Sequence, residues 1–266
     1  MGRFVVGIIG CGNMGSAIAQ GLIDKGVIAP GSILLTDKDE EKAVLLSGKT
    51  GCPVRDLVSL LRHSDYLVIS VKPQDFAELS GMISADISGQ TVISVMAGVR
   101  ISTVMDRLGP GIAVARAMPN MAALVSESIT CVTYNGLVRA KDEVRDILSG
   151  IGAVMEIEED LMDAVTAVSG SGPAYLFYLA DAMITAGVKA GLTEEQARRL
   201  VTRTLYGSAV LMDKTLDPPR ELIKMVASRG GTTEAALSVL EKNSVRAAII
   251  EAVTRAKERS REMSGG

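Results

Sequence analysis

The sequence predicts an α/β fold in two parts, a doubly wound parallel sheet followed by an all-helical region. Short apolar runs rich in β-branched residues recur through the first half of the chain, and helical patterns lie between several of them. Beyond Glu156 these runs stop, and only helical patterns follow. We therefore predict one domain over residues 1–159 and a second over residues 160–266.

Seven runs have the length and composition of strands. Because their residues are apolar almost throughout, they fit a parallel sheet that helices cover on both faces. The predicted strands are 4–9, 33–35, 66–71, 91–95, 112–115, 129–132 and 153–157, and the predicted helices among them are 16–25, 40–46, 56–61 and 102–108.

The second domain is predicted to contain only helices. The first begins near Asp160 and enters a long apolar stretch, in which Asp181 is the only charged residue between Ala164 and Val188. Gly170-Ser171-Gly172-Pro173 interrupts this stretch, which argues against a membrane span. We expect a helix buried on all sides, which in a chain of this size calls for a second subunit. The further predicted helices are 193–214, 218–227, 232–242 and 244–261.

Composition excludes several classes of partner. The net charge is −3 and no long Lys/Arg run is present, so neither nucleic acid nor an anionic membrane is an expected partner. Cys11, Cys52 and Cys131 are far apart, which predicts neither a disulfide framework nor a zinc site. Without an HExxH motif or a carboxylate cluster, no metal site is predicted. The apolar N-terminus lacks a cleavage signal, and we expect a cytoplasmic protein.

A glycine-rich loop, Gly10-Cys11-Gly12-Asn13-Met14-Gly15, follows the first predicted strand and opens a helix. In that setting its G-x-G-x-x-G spacing predicts a Rossmann-type dinucleotide site. Gly10 makes the tight turn, Gly12 lets the backbone approach a pyrophosphate, and Gly15 lets the helix pack on the strand. The helix N-terminus, which includes Asn13 and Met14, is expected to face the phosphates.

The residues that end the second strand bear on the choice of cofactor. Asp37 lies where an acid accepts a hydrogen bond from the ribose 2′-hydroxyl of NADH, whereas a cation such as Lys38 favours the 2′-phosphate of NADPH. Because these adjacent residues favour different cofactors, NADH and NADPH both remain candidates, and we expect a relaxed preference.

Segments that leave the other strands complete the predicted crevice, since ligands bind at the carboxyl ends of the strands in such sheets. Loops of Pro, Gly and Asn with one Lys suit a neutral nicotinamide ring better than they suit acid–base chemistry. A solvated loop charge is the alternative interpretation of Lys72. The residues predicted to line the crevice are Val71, Lys72, Pro73, Ala97, Gly98, Met118, Pro119 and Asn120.

Acid–base chemistry has few candidates in this sequence. The single histidine, His63, precedes the third strand, at the end of the sheet away from the crevice. Without a second histidine, a Ser-His-Asp triad is excluded and a histidine base is not expected. An imine substrate suits such a site, because an iminium is already protonated when hydride arrives, whereas a ketone needs a proton donor. Lys72 or a threonine relay remains an alternative proton source.

Five segments carry a family resemblance through the chain. In this order and spacing they resemble the pyrroline-5-carboxylate reductase family, over essentially the whole length. The segments are Gly7-Ile8-Ile9-Gly10-Cys11-Gly12-Asn13-Met14-Gly15, Val71-Lys72-Pro73-Gln74, Arg116-Ala117-Met118-Pro119-Asn120, Gly170-Ser171-Gly172-Pro173-Ala174-Tyr175 and Gly230-Gly231-Thr232-Thr233.

The resemblance implies an N-terminal dinucleotide-binding domain and a helical C-terminal dimerisation domain. It implies hydride transfer from NADPH or NADH to L-1-pyrroline-5-carboxylate, a small cyclic imine, to give L-proline in the last step of proline biosynthesis. It also implies a homodimer, or a larger assembly of dimers, in which the partner's helices bury residues 164–188. The active site would then form between the two types of domain.

The resemblance places the substrate at the start of the predicted helix 232–242. The backbone at Gly230 and Gly231, with the hydroxyls of Ser228 and Thr232, would hold the substrate carboxylate at the helix N-terminus. The Thr233 hydroxyl, the catalytic group by family analogy, would hydrogen-bond the ring nitrogen. A glycine turn followed by a threonine cap is the plain structural alternative.

Arg229 departs from the family pattern, which has proline at this position. Arginine loosens the turn and adds a cation beside the expected anion site, so a substrate with a larger or second carboxylate is a further hypothesis. Two other functions stay open. A β-hydroxyacid dehydrogenase places a catalytic lysine shortly after a glycine pair, where this chain has Pro173-Ala174-Tyr175. A non-catalytic dinucleotide sensor would keep the fold without turnover, and only Arg229 favours it.

Overall fold

A seven-stranded sheet lies at the centre of the first part of the chain. The computed structural model describes residues 4–263. The strand order is β2-β1-β3-β4-β5-β6-β7, so the chain reverses direction across the sheet at β1, as in a doubly wound fold. All seven predicted strands are present. Their bounds are β1 Val6–Ile9, β2 Ile33–Thr36, β3 Tyr66–Ile69, β4 Thr91–Ser94, β5 Ala113–Met118, β6 Ser128–Tyr134 and β7 Gly152–Glu156.

Six helices connect these strands. The sequence predicted four of them, and the two it missed, α4 and α6, follow a loop that contains Pro73 and a turn at Gly136, respectively. The bounds are α1 Asn13–Asp24, α2 Glu40–Thr50, α3 Leu57–His63, α4 Phe76–Ile83, α5 Ile101–Leu108 and α6 Lys141–Ser149.

The sheet is parallel except at one pair of strands, which corrects the prediction of a wholly parallel sheet. β5 and β6 are antiparallel, with Ala115 opposite Tyr134 and Met118 opposite Cys131. Only residues 119–127 lie between these strands, and they contain a short 3₁₀ turn, Met121–Val125. A parallel crossover needs a dozen or more residues, so a connection of this length reverses the chain.

Two clusters of buried apolar side chains lie on the two faces of the sheet. Along β3, Val68 belongs to one cluster, whereas Leu67 and Ile69 belong to the other. Because successive strand residues point to opposite faces, the two clusters are the two helix-covered layers that the apolar strands predict. Helices α1 and α6 contribute to the first cluster, and α3, α4 and α5 contribute to the second.

Strand β5 extends through Arg116, beyond the predicted end at residue 115. A charged residue ordinarily marks the end of a buried run, but the Arg116 side chain is only 6% exposed and lies 3.1 Å from the Glu159 Oε1 carboxylate oxygen. The same oxygen accepts the Ile101 backbone N–H at 2.8 Å. The ion pair therefore allows an arginine inside the sheet and connects β5, α5 and residue 159.

The compact units differ from the predicted division at residue 159. One unit comprises residues 4–171 with 256–263, and the other comprises residues 172–255. The segment after residue 159 packs with the sheet, because Met162 and Val165 are buried beside Cys131. The Ser260 hydroxyl near the chain end donates to Asp163 Oδ1 at 2.7 Å. This segment contains the short helix α7, Met162–Val165, and a π-helical turn, Thr166–Gly170.

The second unit contains only helices, as predicted. A capping box opens α9, in which Thr193 accepts the Gln196 N–H and the Gln196 side chain accepts the Thr193 N–H. The apolar stretch forms part of α8, where Phe177 is 66% and Tyr178 81% exposed in the single chain. The bounds are α8 Gly172–Lys189, α9 Glu194–Thr215, α10 Pro219–Val226, α11 Thr232–Lys242 and α12 Val245–Met263, whose last residues belong to the first unit.

This helical unit lacks a core of its own within one chain. Of residues 172–255, all of which the structure describes, only Ala197 and Val201 are buried. Burial of α8 on all sides, as the sequence predicts, therefore requires surface from outside the chain. No helix within residues 4–263 combines the length and the hydropathy that crossing a bilayer demands.

We predict that Gly152→Ala strongly destabilises the sheet. Gly152 has φ of +141°, and a Cβ atom there would lie 1.9 Å from the Ser128 carbonyl oxygen. Strain and overlap together should lower the free energy of unfolding by about 3 kcal/mol or more. Urea denaturation measures the change.

Gly48→Ala is the matched control. Gly48 lies in α2, and a Cβ atom there would meet no described atom within 4 Å. Replacing a helical glycine should raise the free energy of unfolding by about 0.5 to 1 kcal/mol. Equal urea midpoints for Gly152→Ala and the unmodified protein would contradict the prediction.

Candidate active site

The predicted cofactor residues of the first unit lie along one edge of the sheet. Strands β1 to β5 are parallel, so their carboxyl ends meet at that edge. Because β1 lies between β2 and β3, the glycine loop occupies the point where the strand order reverses. The residues that end or follow these strands are Gly10 to Gly15, Asp37, Lys38, Val71, Lys72, Pro73, Ala97, Gly98, Met118, Pro119 and Asn120.

The three glycines of the loop have the three geometries that a dinucleotide loop requires. Gly10 has φ of +101°, and a Cβ atom there would lie 2.6 Å from the Ser70 carbonyl oxygen. A Cβ atom at Gly15 would lie 1.9 Å from the Gly10 carbonyl oxygen, so α1 packs directly on the turn. At Gly12, by contrast, a Cβ atom would meet no described atom within 4 Å. The loop is therefore tight against the protein and open where a pyrophosphate would approach.

The Asp37 carboxylate connects the end of β2 to the glycine loop. Its Oδ2 atom accepts the Cys11 backbone N–H at 2.6 Å, and its Oδ1 atom accepts the Asp39 N–H at 2.9 Å. An ionised carboxylate has about four acceptor positions. Both oxygens thus retain a position for a donor such as a ribose hydroxyl.

Lys38 forms an ion pair that the sequence did not reveal. Its Nζ atom lies 3.0 Å from Asp75 Oδ1, in the segment that follows β3. The Asp75 N–H in turn donates to the Lys72 carbonyl at 2.9 Å, within a 3₁₀ turn that begins at Pro73. Lys38, the cation next to Asp37, is therefore paired with the Asp75 carboxylate.

The segments after β4 and β5 are held by different contacts. Gly98 has φ of +73°, and a Cβ atom there would lie 3.4 Å from Met263 Cβ. The Asn120 Oδ1 atom accepts the Ala122 N–H at 3.0 Å, and its Nδ2 group donates to the Ser169 hydroxyl at 3.1 Å. The amide of Asn120 thus has a structural use, which is to fix the loop that follows Met118, the last residue of β5.

Cys11 is a packing residue and not a reactive thiol. It is buried, and its Sγ atom lies 3.6 Å from the Thr36 carbonyl. Burial, with the nearby Asp37 carboxylate, raises the pKa of Cys11 to about 12. The thiol consequently stays protonated at neutral pH and is a poor nucleophile.

His63 lies away from the predicted crevice. His63 ends α3 just before β3, at the opposite edge of the sheet, and its Nδ1 atom lies 2.7 Å from the Ser59 carbonyl. Among residues 4–263, no three His, Cys, Asp or Glu side chains are grouped closely enough to hold a metal ion.

The predicted substrate residues form a second group, on the helical unit. Gly231 is the N-cap of α11, and none of the described side chains caps the helix there. Gly230 has φ of +72°, and a Cβ atom at Gly231 would lie 2.5 Å from the Ser228 hydroxyl oxygen. The first helical residues are Thr232 and Thr233, with Thr232 exposed and Thr233 half-buried. Their N–H groups, at the positive end of the helix dipole, point out of α11.

Glu234 is a member of this group that the sequence reasoning missed. Its Oε2 atom accepts the Gly230 N–H at 2.6 Å. Glu234 lies three residues after the N-cap Gly231, which is the spacing of a capping box, so the spacing was the available signal. The bond holds Gly230, whose φ is +72°, at the residue directly after the exposed Arg229.

Two family models match the chain. A model described as pyrroline-5-carboxylate reductase dimerisation matches residues 159–263. A model described as NADP oxidoreductase, coenzyme F420-dependent, matches residues 5–98. The first covers the helices and the segment that leads into them, and the second covers the glycine loop and strands β1 to β4.

Individual relatives match over almost the whole chain. The pyrroline-5-carboxylate reductase of Methanosarcina acetivorans is 38% identical over 97% of this chain and 97% of its own. A solved pyrroline-5-carboxylate reductase from Coxiella burnetii has a TM-score of 0.91 at 32% identity, covering 98% of each chain. A Plasmodium falciparum pyrroline carboxylate reductase, solved with NADP bound, has a TM-score of 0.89 at 32% identity and covers 99% of each chain. The chain therefore belongs to the pyrroline-5-carboxylate reductase family.

Proposed function

We propose that this protein reduces L-1-pyrroline-5-carboxylate to L-proline, with NADH or NADPH as the reductant, in the last step of proline biosynthesis. The observation that carries the proposal is the uncapped N-terminus of α11, where Gly230 and Gly231 precede Thr232 and Thr233. A small carboxylate is the kind of ligand that such a helix start holds. Nearly full-length relatives that are named for this reaction support it.

The first unit supplies the dinucleotide site. The backbone from Gly10 to Gly15 would hold the pyrophosphate at the start of α1, where a Cβ-sized space is free at Gly12. Asp37 and Lys38 would face the ribose, and Val71 to Pro73, Ala97, Gly98 and Met118 to Asn120 would line the nicotinamide end. When bound, the reduced nicotinamide supplies hydride to the imine carbon.

The second unit supplies the anion site. The N–H groups at the start of α11 and the Ser228 hydroxyl would hold the substrate carboxylate. Glu234 keeps one carboxylate nearby by accepting the Gly230 N–H. Charge-assisted hydrogen bonds of this kind fix both the position and the orientation of a small ring.

Thr233 is the group we assign to the ring nitrogen. Its hydroxyl would hydrogen-bond the nitrogen as the ring changes from iminium to amine. Because the iminium already carries its proton, the hydroxyl orients the ring and needs no lowered pKa. This is consistent with a site built from backbone groups and hydroxyls.

We further propose a homodimer, or an assembly of dimers, that works in the cytoplasm. The exposed apolar side chains of α8, with Phe177 and Tyr178 among them, are the surface that a second copy would cover. The matched dimerisation model supports this assignment. Three buried cysteines, none of them in a disulfide, suit a reducing compartment.

We predict that Thr233→Val lowers kcat/KM for pyrroline-5-carboxylate by about 10- to 100-fold, because one hydrogen bond to a charged ring is lost. Thr233→Ser keeps the hydroxyl and should retain most of the activity. Loss of reduced-nicotinamide absorbance with DL-pyrroline-5-carboxylate measures both variants. Equal activity of Thr233→Val and the unmodified enzyme would remove Thr233 from the site. Cofactor binding without turnover in the unmodified protein would favour the sensor.

We also predict that Gly12→Ala weakens dinucleotide binding by about tenfold or more, because the added methyl fills the space beside the pyrophosphate. The fold should persist, since a Cβ atom there meets no described atom within 4 Å. Gly31→Ala is the control, as Gly31 is similarly open but lies before β2 at the other edge of the sheet. Titration of nucleotide fluorescence gives the dissociation constants, and similar values for the two variants would refute the assignment.

A further inference from the structure

Acidic side chains outnumber cations where β2 ends. The segment Asp37-Lys38-Asp39-Glu40-Glu41-Lys42 contains four acids and two lysines. Each lysine faces a carboxylate, since Lys38 lies 3.0 Å from Asp75 and Lys42 lies 3.1 Å from Asp39. Both lysines that could attract a 2′-phosphate are thus already paired with carboxylates of the protein.

Asp37 is also held in place. Its two hydrogen bonds, from the Cys11 N–H at 2.6 Å and from the Asp39 N–H at 2.9 Å, anchor it to the glycine loop and to the start of α2. A carboxylate anchored in this way does not move aside for a phosphate. It still offers acceptor positions to a hydroxyl, and a ribose 2′-hydroxyl is a donor where a 2′-phosphate is not.

We infer that the end of β2 selects NADH over NADPH, and that Asp75 contributes to the selection by pairing with Lys38. The inference rests on the dinucleotide site of the proposed function. It narrows the relaxed cofactor preference that the sequence predicts, because the sequence does not show the Asp75 partner of Lys38. Asp75 is a positioning residue in this scheme, because it acts through Lys38 and not on the cofactor.

Another cation, Arg55, lies beside β2 and is the main alternative binding group for a 2′-phosphate. The Arg55 backbone N–H donates to the Leu35 carbonyl at 2.9 Å, which places Arg55 next to β2. Its guanidinium donates to the Val54 carbonyl at 3.0 Å and is therefore directed to its own loop. If the 2′-phosphate of NADPH bound the Arg55 guanidinium in place of the Val54 carbonyl, Arg55 and not Lys38 would hold the phosphate.

The test measures dissociation constants for NADH and NADPH by fluorescence titration, in the absence of substrate. The unmodified protein should bind NADH more tightly. Asp75→Asn is nearly isosteric and leaves Lys38 unpaired, so it should strengthen NADPH binding by about threefold while NADH binding changes little. The gain should shrink as the salt concentration rises.

Asp39→Asn is the matched control. It also removes one negative charge close to the end of β2, but it releases Lys42 instead of Lys38. If both variants strengthen NADPH binding equally, the effect is one of total charge and the role of Asp75 is refuted. Asp75→Asn followed by Lys38→Met should return NADPH binding to its original strength.

Tighter binding of NADPH by the unmodified protein would overturn the inference, and loss of that binding in Arg55→Ala would identify the reason. The proposed function fails separately. If NADH binds more tightly but pyrroline-5-carboxylate is not reduced, the reductase proposal is refuted and the nucleotide selection stands. If neither nucleotide binds, both are refuted.

Discussion

The close approach of α1 to the turn after β1 is the constraint on which the first unit depends. Gly15 packs so near the Gly10 carbonyl that a Cβ atom would overlap it at 1.9 Å. This contact brings the positive end of α1 to the edge of the sheet, and it places the Cys11 N–H within 2.6 Å of Asp37. The glycine loop, the N-terminus of α1 and the Asp37 carboxylate therefore depend on the same close contact, and a side chain at Gly15 would disturb all three.

A second set of contacts connects the other side of the sheet edge to the segment after residue 159. Glu159 pairs with buried Arg116 and accepts the Ile101 N–H. The Asn120 side chain donates a hydrogen bond to the Ser169 hydroxyl. A buried ion pair is not a large net source of stability, but removing one partner leaves a desolvated charge, so the pairing is specific. These contacts explain why residues 159–170 pack with the sheet, although the matched dimerisation model begins at residue 159.

Features encoded by local patterns could be predicted from the sequence, and features that depend on distant partners could not. The seven apolar runs and the glycine loop are local, and both the doubly wound sheet and the helical region are confirmed. Strand β6 is antiparallel to β5 because only residues 119–127 connect the two strands. The alternation of strand and helix patterns in the sequence does not predict this change of direction. The predicted strand stops at residue 115, before Arg116, because the sequence does not show that Glu159 pairs with this arginine. Lys38 favours a 2′-phosphate in the sequence for the same reason, since its partner Asp75 is equally distant along the chain. The roles of Thr233 and of the cofactor residues stay predictions, since geometry places these groups without showing what they bind.

The helical unit poses a different physical problem, because its sequence specifies helices but one chain does not bury them. Propensity and a capping box define α9, yet Ala197 and Val201 are the only buried residues of 172–255. Helices of this kind gain most of their stability from packing, so in the proposed dimer a large part of the folding free energy would come from association. The uncapped start of α11 lies in this unit, and the order of Gly230, Gly231 and Thr233 therefore depends on the proposed partner as well as on the local Glu234 bond. Substrate binding would then be coupled to assembly even though every residue assigned to the carboxylate comes from one short segment.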